Sequence, residues 1–132
     1  MLDIQYIRDH RDEVVWAAKN KNVSVDIDQL LEVDGKRMQL LREIEELKSV
    51  KNDINDLIPQ ATSDERTELI ARGKEIKEKL DAKGPEYQEA ERVFRDLMYL
   101  VPNIPSSDTP IGPDESGNVI LREWGEKPAF DF

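Results

Sequence analysis

Residue types that carry out acid–base or metal chemistry are sparse in this chain. His10 is the only histidine and cysteine is absent, which excludes a site built from several histidine or cysteine ligands. The adjacent acids Glu45-Glu46 and Asp114-Glu115 are typical of solvated helix faces and turns, and the sequence has no glycine-rich phosphate loop. We therefore interpret His10 as a surface or packing residue, and we predict no catalytic residue and no metal site in the chain.

Basic residues are the remaining candidates for a functional site. From Lys48 to Lys83, eight basic residues stand against eight acidic ones, whereas the segment from Asp26 to Glu46 has seven acids and three bases. The formal net charge of −10 argues against nucleic-acid binding by the whole surface, and we expect no DNA partner. An anionic partner could still approach the electrically neutral distal half.

Two long helical patterns must position these cations. Their apolar positions alternate in steps of three and four, which is the spacing of a coiled-coil seam. The predicted seam positions are Leu30, Val33, Arg37, Leu40, Ile44, Leu47, Lys51, Ile54 and Ile58, and then Leu69, Gly73, Ile76, Leu80, Lys83, Tyr87, Ala90, Phe94, Leu97 and Val101. Antiparallel pairs such as Ile54 with Leu69 keep a nearly constant sum of position numbers. We predict an all-α fold with a long antiparallel two-helix coiled-coil hairpin over residues 26–101 and a tip near 59–64.

Capping and helix-breaking residues set the expected ends of these helices. Asp26 or Asp28 is expected to cap the outgoing helix, and Pro59 to stop it. Thr62-x-x-Glu65 is typical of a capping box that starts the returning helix. Gly84-Pro85 interrupts the returning pattern, but the seam keeps its phase across it. We therefore expect a kinked, continuous helix rather than a break into two elements.

Shorter elements are predicted at both ends of the hairpin. A short amphipathic helix from Asp3 to Lys19 should pack at the hairpin base against Leu97, Met98 and Val101. Its apolar stripe consists of Ile4, Ile7, Val14, Val15 and Ala18. Residues 102–132 read as an extended, Pro-rich linker to another domain, on which Phe130 and Phe132 would pack. Within that linker, the alternation from Asn118 to Trp124 is compatible with a short strand.

Heptad positions place several cations and amides together on the distal half. Lys48 and Lys77 flank the seam on one edge, with Lys74 one turn away, and Lys51 is expected in the seam opposite Gly73. On the other edge, Lys79 is expected to pair with Glu43. The candidate contacts to RNA phosphate and ribose are Lys48, Lys51, Asn52, Asn55, Lys74 and Lys77, with Arg72 on the other edge. The alternative is that these residues are the ordinary solvated face of a coiled coil.

No targeting or membrane signal is found. Met1-Leu2-Asp3 does not resemble the start of a signal peptide, and no apolar run approaches the length needed to span a membrane. At 132 residues we expect at most one domain, in a cytoplasmic protein without a membrane partner.

Ordered motifs at both ends of the chain resemble the N-terminal arm of seryl-tRNA synthetases. Near the start these are Met1-Leu2-Asp3-Ile4, Ile7-Arg8 and Asp28-x-Leu30-Leu31-x-x-Asp34-x-x-Arg37. Near the end they are Val101-Pro102-Asn103-Ile104-Pro105, Pro110-x-Gly112-x-Asp114-Glu115, Asn118-Val119, Arg122-x-Trp124-Gly125 and Phe130-Asp131-Phe132. The resemblance covers essentially the whole chain.

This resemblance implies a function in tRNA binding. The arm of the family lies against the long variable arm of serine tRNA, so the expected partner is serine tRNA and the candidate residues above would contact it. Catalysis with ATP and magnesium, and the main homodimer interface, would belong to a class II catalytic domain beyond residues 102–132. A coiled-coil spacer or adaptor that binds a protein partner is the alternative.

Overall fold

Four α-helices account for most of the regular structure in the described residues. The structure, a computed structural model, describes residues 1–126 and 128–131. Helix α1 spans Ile4–Asp9, α2 Arg11–Asn20, α3 Ile27–Leu57 and α4 Ser63–Leu100. Single turns of 3-10 helix lie at Ile58–Gln60 and Glu115–Gly117. Helices α3 and α4 pack along each other in opposite directions, which confirms the predicted all-α hairpin.

The caps of the two long helices follow the sequence signals. The Asp26 carboxylate accepts a hydrogen bond from the Gln29 backbone N–H at 3.0 Å, and α3 begins at the next residue. At the start of α4 the predicted capping box is present. The Glu65 carboxylate accepts hydrogen bonds from the Thr62 hydroxyl at 2.6 Å and the Thr62 backbone N–H at 2.9 Å. These bonds lower the pKa of Glu65.

The seam is a narrow apolar line rather than a thick core. All nineteen predicted seam positions are buried or half-buried. Those that are fully buried are Leu30, Leu40, Ile44 and Ile54 on the outgoing side and Ile76, Ala90 and Val101 on the returning side. The hairpin is therefore held together by the contact of α3 with α4 along this line, without a larger apolar core behind it.

Helix α4 continues through Gly84-Pro85, as predicted. Proline in a helix interior removes one hydrogen bond and costs about 3 kcal/mol relative to alanine, and glycine costs about 1 kcal/mol. Packing of α4 on α3 offsets this cost, because the pair remains in contact on both sides of the interruption.

The N-terminal segment forms two helices where one was predicted. The backbone leaves the helical region at His10 (φ −123°, ψ 36°), so α1 ends at Asp9 and α2 begins at Arg11. Ile7 and Val14 lie on either side of the bend, and both are fully buried in the same core. The predicted stripe was wrong at Val15, which is 39% exposed.

Apolar packing joins these helices to the hairpin base. Ile7 and Val14 lie in one cluster with Ile27, Leu30, Met98 and Val101, against which Ile4, Phe94 and Leu97 pack. The predicted packing of the N-terminal segment on Leu97, Met98 and Val101 is thus confirmed.

A buried carboxylate lies beside this apolar cluster. Asp34 is 1% exposed and accepts from Arg8 at 2.5 Å and from Arg37 at 2.8 Å. Arg37 also donates to Glu91 at 3.0 Å, and its guanidinium carbon lies 4.2 Å from the centre of the Phe94 ring. The network ties α1, α3 and α4 together.

The expected short strand from Asn118 to Trp124 is absent from the described residues. Val119 and Leu121 are 63% and 92% exposed, and the segment has no neighbouring strand with which to form a ladder. Phe130 is 68% exposed, while the expectation for Phe132 lies outside the described residues.

We predict that Asp34→Ala destabilises the chain by about 2–3 kcal/mol, because it leaves the half-buried Arg37 guanidinium without its nearest carboxylate. Urea unfolding followed by circular dichroism measures the change. Asp53→Ala is the matched control, since Asp53 is an exposed aspartate of the same helix with no ion pair to a described residue. Equal stability of the two variants would contradict the bracing role of Asp34.

Candidate nucleic-acid interface

Ion pairing divides the chain into two parts. Near the base, four arginines are held by carboxylates: Arg8 by Asp34, Arg11 by Asp28, Arg37 by Glu91 and Arg92 by Asp96. The Arg11 guanidinium lowers the pKa of Asp28 through two hydrogen bonds. Of the eight basic residues from Lys48 to Lys83, only Lys83 forms an ion pair within the described part of the chain. The distal cations are therefore free to take an external anion.

The cation edge consists of Lys48, Lys51, Asn52, Asn55, Lys74 and Lys77. All of these side chains are exposed except Lys51, which is half-buried in the seam. None of them forms a hydrogen bond or an ion pair with another described residue. The edge thus presents ammonium and amide donors together, a combination that suits phosphate and ribose oxygens.

The register at Gly73 differs from the expectation. A Cβ placed on Gly73 would lie 3.8 Å from Ile54 Cγ2, and no atom of Lys51 comes within 4 Å of that position. Gly73 therefore faces Ile54, one turn of α3 beyond Lys51. The prediction that the missing side chain of Gly73 gives Lys51 room was wrong.

A groove on the other edge of the seam combines both signs of charge. Glu43, Glu46 and Glu75 line it together with Arg72, Lys79 and Lys83, over a floor of Leu47, Val50 and Ile76. Glu43 pairs with Lys83 rather than with Lys79 as predicted, again one helical turn away from the expected partner. Arg72 thus lies among acids in this groove, while Lys48 and Lys77 do not line it.

Arg66 was not among the predicted contacts, although it is exposed in the first turns of α4 and forms no ion pair with a described residue. It lies outside the seam-flanking positions, so heptad reasoning did not select it. Its position next to the hairpin turn could have indicated Arg66 as a candidate contact.

Other candidate chemistry finds no support in the geometry. His10 stacks on Tyr6 with ring centroids 4.4 Å apart, and its Nδ1 lies 3.8 Å from the Glu13 carboxylate. Within the described residues, no three histidine, cysteine, aspartate or glutamate side chains are grouped so as to hold a metal ion. No helix among them has the length and apolar character to cross a membrane.

Comparison with known proteins identifies the family. The sequence model described as "Seryl-tRNA synthetase N-terminal domain" matches residues 1–105. The chain belongs to this family. The match covers both N-terminal helices, the whole hairpin and the start of the Pro-rich segment, so it includes every residue of the cation edge.

Individual relatives agree with this assignment. The serine–tRNA ligases of Deinococcus radiodurans and Thermomicrobium roseum are each 40% identical to the chain over its full length. The crystal structure of seryl-tRNA synthetase from Pyrococcus horikoshii complexed with ATP matches 95% of the chain with a TM-score of 0.75 and 27% identity. The chain spans 31% and 30% of the two bacterial relatives and 29% of the archaeal chain.

The pairing of Glu43 gives a pH-dependent prediction. Its hydrogen bond from Lys83, with a second from Gln39, lowers the pKa of Glu43. A depressed folded-state pKa contributes stability that is present above the unfolded-state pKa and is lost as pH falls through the folded-state pKa. We expect Lys83→Met to return the Glu43 pKa towards its ordinary value and to remove this contribution. NMR titration of the side-chain carboxyl carbon measures it.

Lys79→Met is the matched control, because it removes the same charge from the same groove without removing the Glu43 partner. If Lys79→Met raised the Glu43 pKa and Lys83→Met did not, the sequence-derived register would be correct and the structural pairing wrong.

Proposed function

We propose that this chain is the tRNA-binding arm of a serine–tRNA ligase and that it positions the long variable arm of serine tRNA. The observation that carries the proposal is the cation edge, whose donors have no partner among the described residues, while four basal arginines are occupied by carboxylates. Membership of the seryl-tRNA synthetase N-terminal family supports tRNA as the anionic partner.

The charges favour contact with the nucleic-acid backbone over sequence readout. Lysine ammonium groups and asparagine amides on a convex two-helix surface can reach phosphates and riboses, but they offer no pocket for an unstacked base. Such contacts recognise the shape and position of a duplex stem. This fits a long variable arm, which is a helical stem.

Lys48, Lys51, Asn52, Asn55, Lys74 and Lys77 are the proposed contacts on the cation edge. Arg72 remains a proposed contact of lesser weight, because Glu46 and Glu75 line the groove in which it lies. Residues 1–101 would form the arm, and residues 102–132 the linker that leads to the catalytic domain.

The remaining parts of the reaction are assigned to the rest of the protein. We propose that ATP and magnesium bind the catalytic domain, since the described residues of this chain bring together no metal-binding cluster. The same domain would provide the main homodimer interface, and the complete ligase would be cytoplasmic. The chain's own task is to orient the tRNA, which requires a rigid base and an accessible distal surface.

We predict that Lys48→Gln/Lys51→Gln/Lys77→Gln in the full-length ligase weakens binding of serine tRNA on the order of 10–100-fold, because three phosphate contacts are lost together. The slope of log K against log salt concentration should fall by roughly two to three for the same reason. Filter binding between 50 and 200 mM salt, as is usual for counterion release, and the kcat/KM of aminoacylation at limiting tRNA measure these effects.

Lys36→Gln/Arg42→Gln/Arg95→Gln is the matched control. It removes the same charge from three exposed residues near the base that form no ion pair with a described residue. Equal losses in the two triple variants would mean that net charge, and not the cation edge, governs binding. If neither variant changed tRNA affinity or aminoacylation, the proposal would fail and a protein-binding adaptor would remain.

A further inference from the structure

Helix α4 lacks several stabilising features in the stretch between Ile76 and Ala90. Between Ile76 and Ala90 no residue of α4 is fully buried, although α3 has the buried Leu40 and Ile44 facing this region of the seam. The seam position in the middle of this stretch is Lys83, which is held by an ion pair with Glu43 rather than by apolar contact. Ionic contacts tolerate small relative shifts better than interdigitated side chains do.

Gly84 and Pro85 lie at the centre of this stretch. Pro85 has no backbone N–H, so the carbonyl of Asp81 lacks its helical donor. A Cβ on Gly84 would meet no atom within 4 Å, so packing does not require glycine there. The two residues together weaken the helix at one point without serving the packing of the seam.

Two cross-helix ion pairs bracket that point. Arg37 and Glu91 join the helices at 3.0 Å on the base side, where Arg37 is also held by Asp34. Glu43 and Lys83 join them on the tip side. Each side is therefore held by its own ion pair. Between the two pairs, Ala90 beside Glu91 is the one fully buried residue of α4, and the helical hydrogen bonds are incomplete at Pro85.

We propose that Gly84-Pro85 is a bending point that divides the arm into a braced base and a distal segment, and that bending there moves the cation edge as one body. A change of about 10° at the bend displaces the tip by about 5 Å, because the distal part of α4 is about 30 Å long. The inference concerns the free protein and does not depend on tRNA being the partner.

The experiment measures a distance across the bend without RNA. The chain contains no cysteine, so Ala71→Cys/Arg95→Cys places spin labels at two exposed positions of α4 on either side of Pro85. A straight helix would hold their backbones about 36 Å apart. Pulsed electron–electron resonance should show a broad distribution for the native Gly84-Pro85 sequence, and a distribution roughly half as wide after Gly84→Ala/Pro85→Ala.

Gly35→Ala with the same labels is the matched control. A Cβ on Gly35 also meets nothing within 4 Å, but Gly35 lies on α3 at the base side of both ion pairs. It should leave the distribution unchanged. Pro85→Ala alone should narrow the distribution in part, and circular dichroism should show equal or greater helicity in every variant. Equal widths for the native sequence and Gly84→Ala/Pro85→Ala would overturn the bending point, whatever the outcome of the tRNA-binding experiments.

Discussion

The buried carboxylate of Asp34 is the interaction on which the rest of the structure depends. Two guanidinium groups from different elements meet on it, Arg8 from α1 and Arg37 from α3, and Arg37 extends the contact to Glu91 on α4. A carboxylate so deeply buried is tolerated only when its charge is compensated and its oxygens accept hydrogen bonds. The requirement is met where α1, α3 and α4 come together, so the burial of Asp34 favours this arrangement of the base.

The pairing of charges at the base also contrasts with the cations of the distal half, most of which are unpaired among the described residues. Four arginines near the base are occupied by acids, and the segment from Asp26 to Glu46 has seven acids against three bases. Farther out, the lysines and asparagines of the cation edge have no partner among the described residues. A protein with a net charge of −10 can thereby present a locally basic surface to a polyanion.

Periodicity was sufficient to predict the hairpin because a two-helix seam is a one-dimensional pattern. The three-and-four spacing of the apolar residues predicts which of them are buried in the seam. Pro59 and Thr62 predict the position of the turn. The partner of an individual side chain was harder to predict. Glu43 reaches Lys83 instead of Lys79, and Gly73 faces Ile54 instead of Lys51, since long side chains and knobs-into-holes packing join residues one turn apart.

Tertiary interactions explain the other differences. The break at His10 is a property of the fold that the residues of the segment did not predict, because Ile7 and Val14, seven residues apart, would share one face of an unbroken helix as well. The segment from Asn118 to Trp124 has the alternation of a strand, but the described part of the chain contains no second strand beside it. The bracing role of Asp34 could have been inferred from its spacing of three residues to Arg37, but its pairing with Arg8 is set by the fold.

The central claim is that one edge of the distal hairpin receives the RNA, and backbone-amide NMR during titration with serine tRNA tests it most directly. We expect the largest chemical-shift changes at the amides of Lys48, Asn52, Asn55, Lys74 and Lys77, with little change in the groove lined by Glu43, Glu46 and Glu75. Changes concentrated in that groove, or at the braced base around Asp34, would contradict the account.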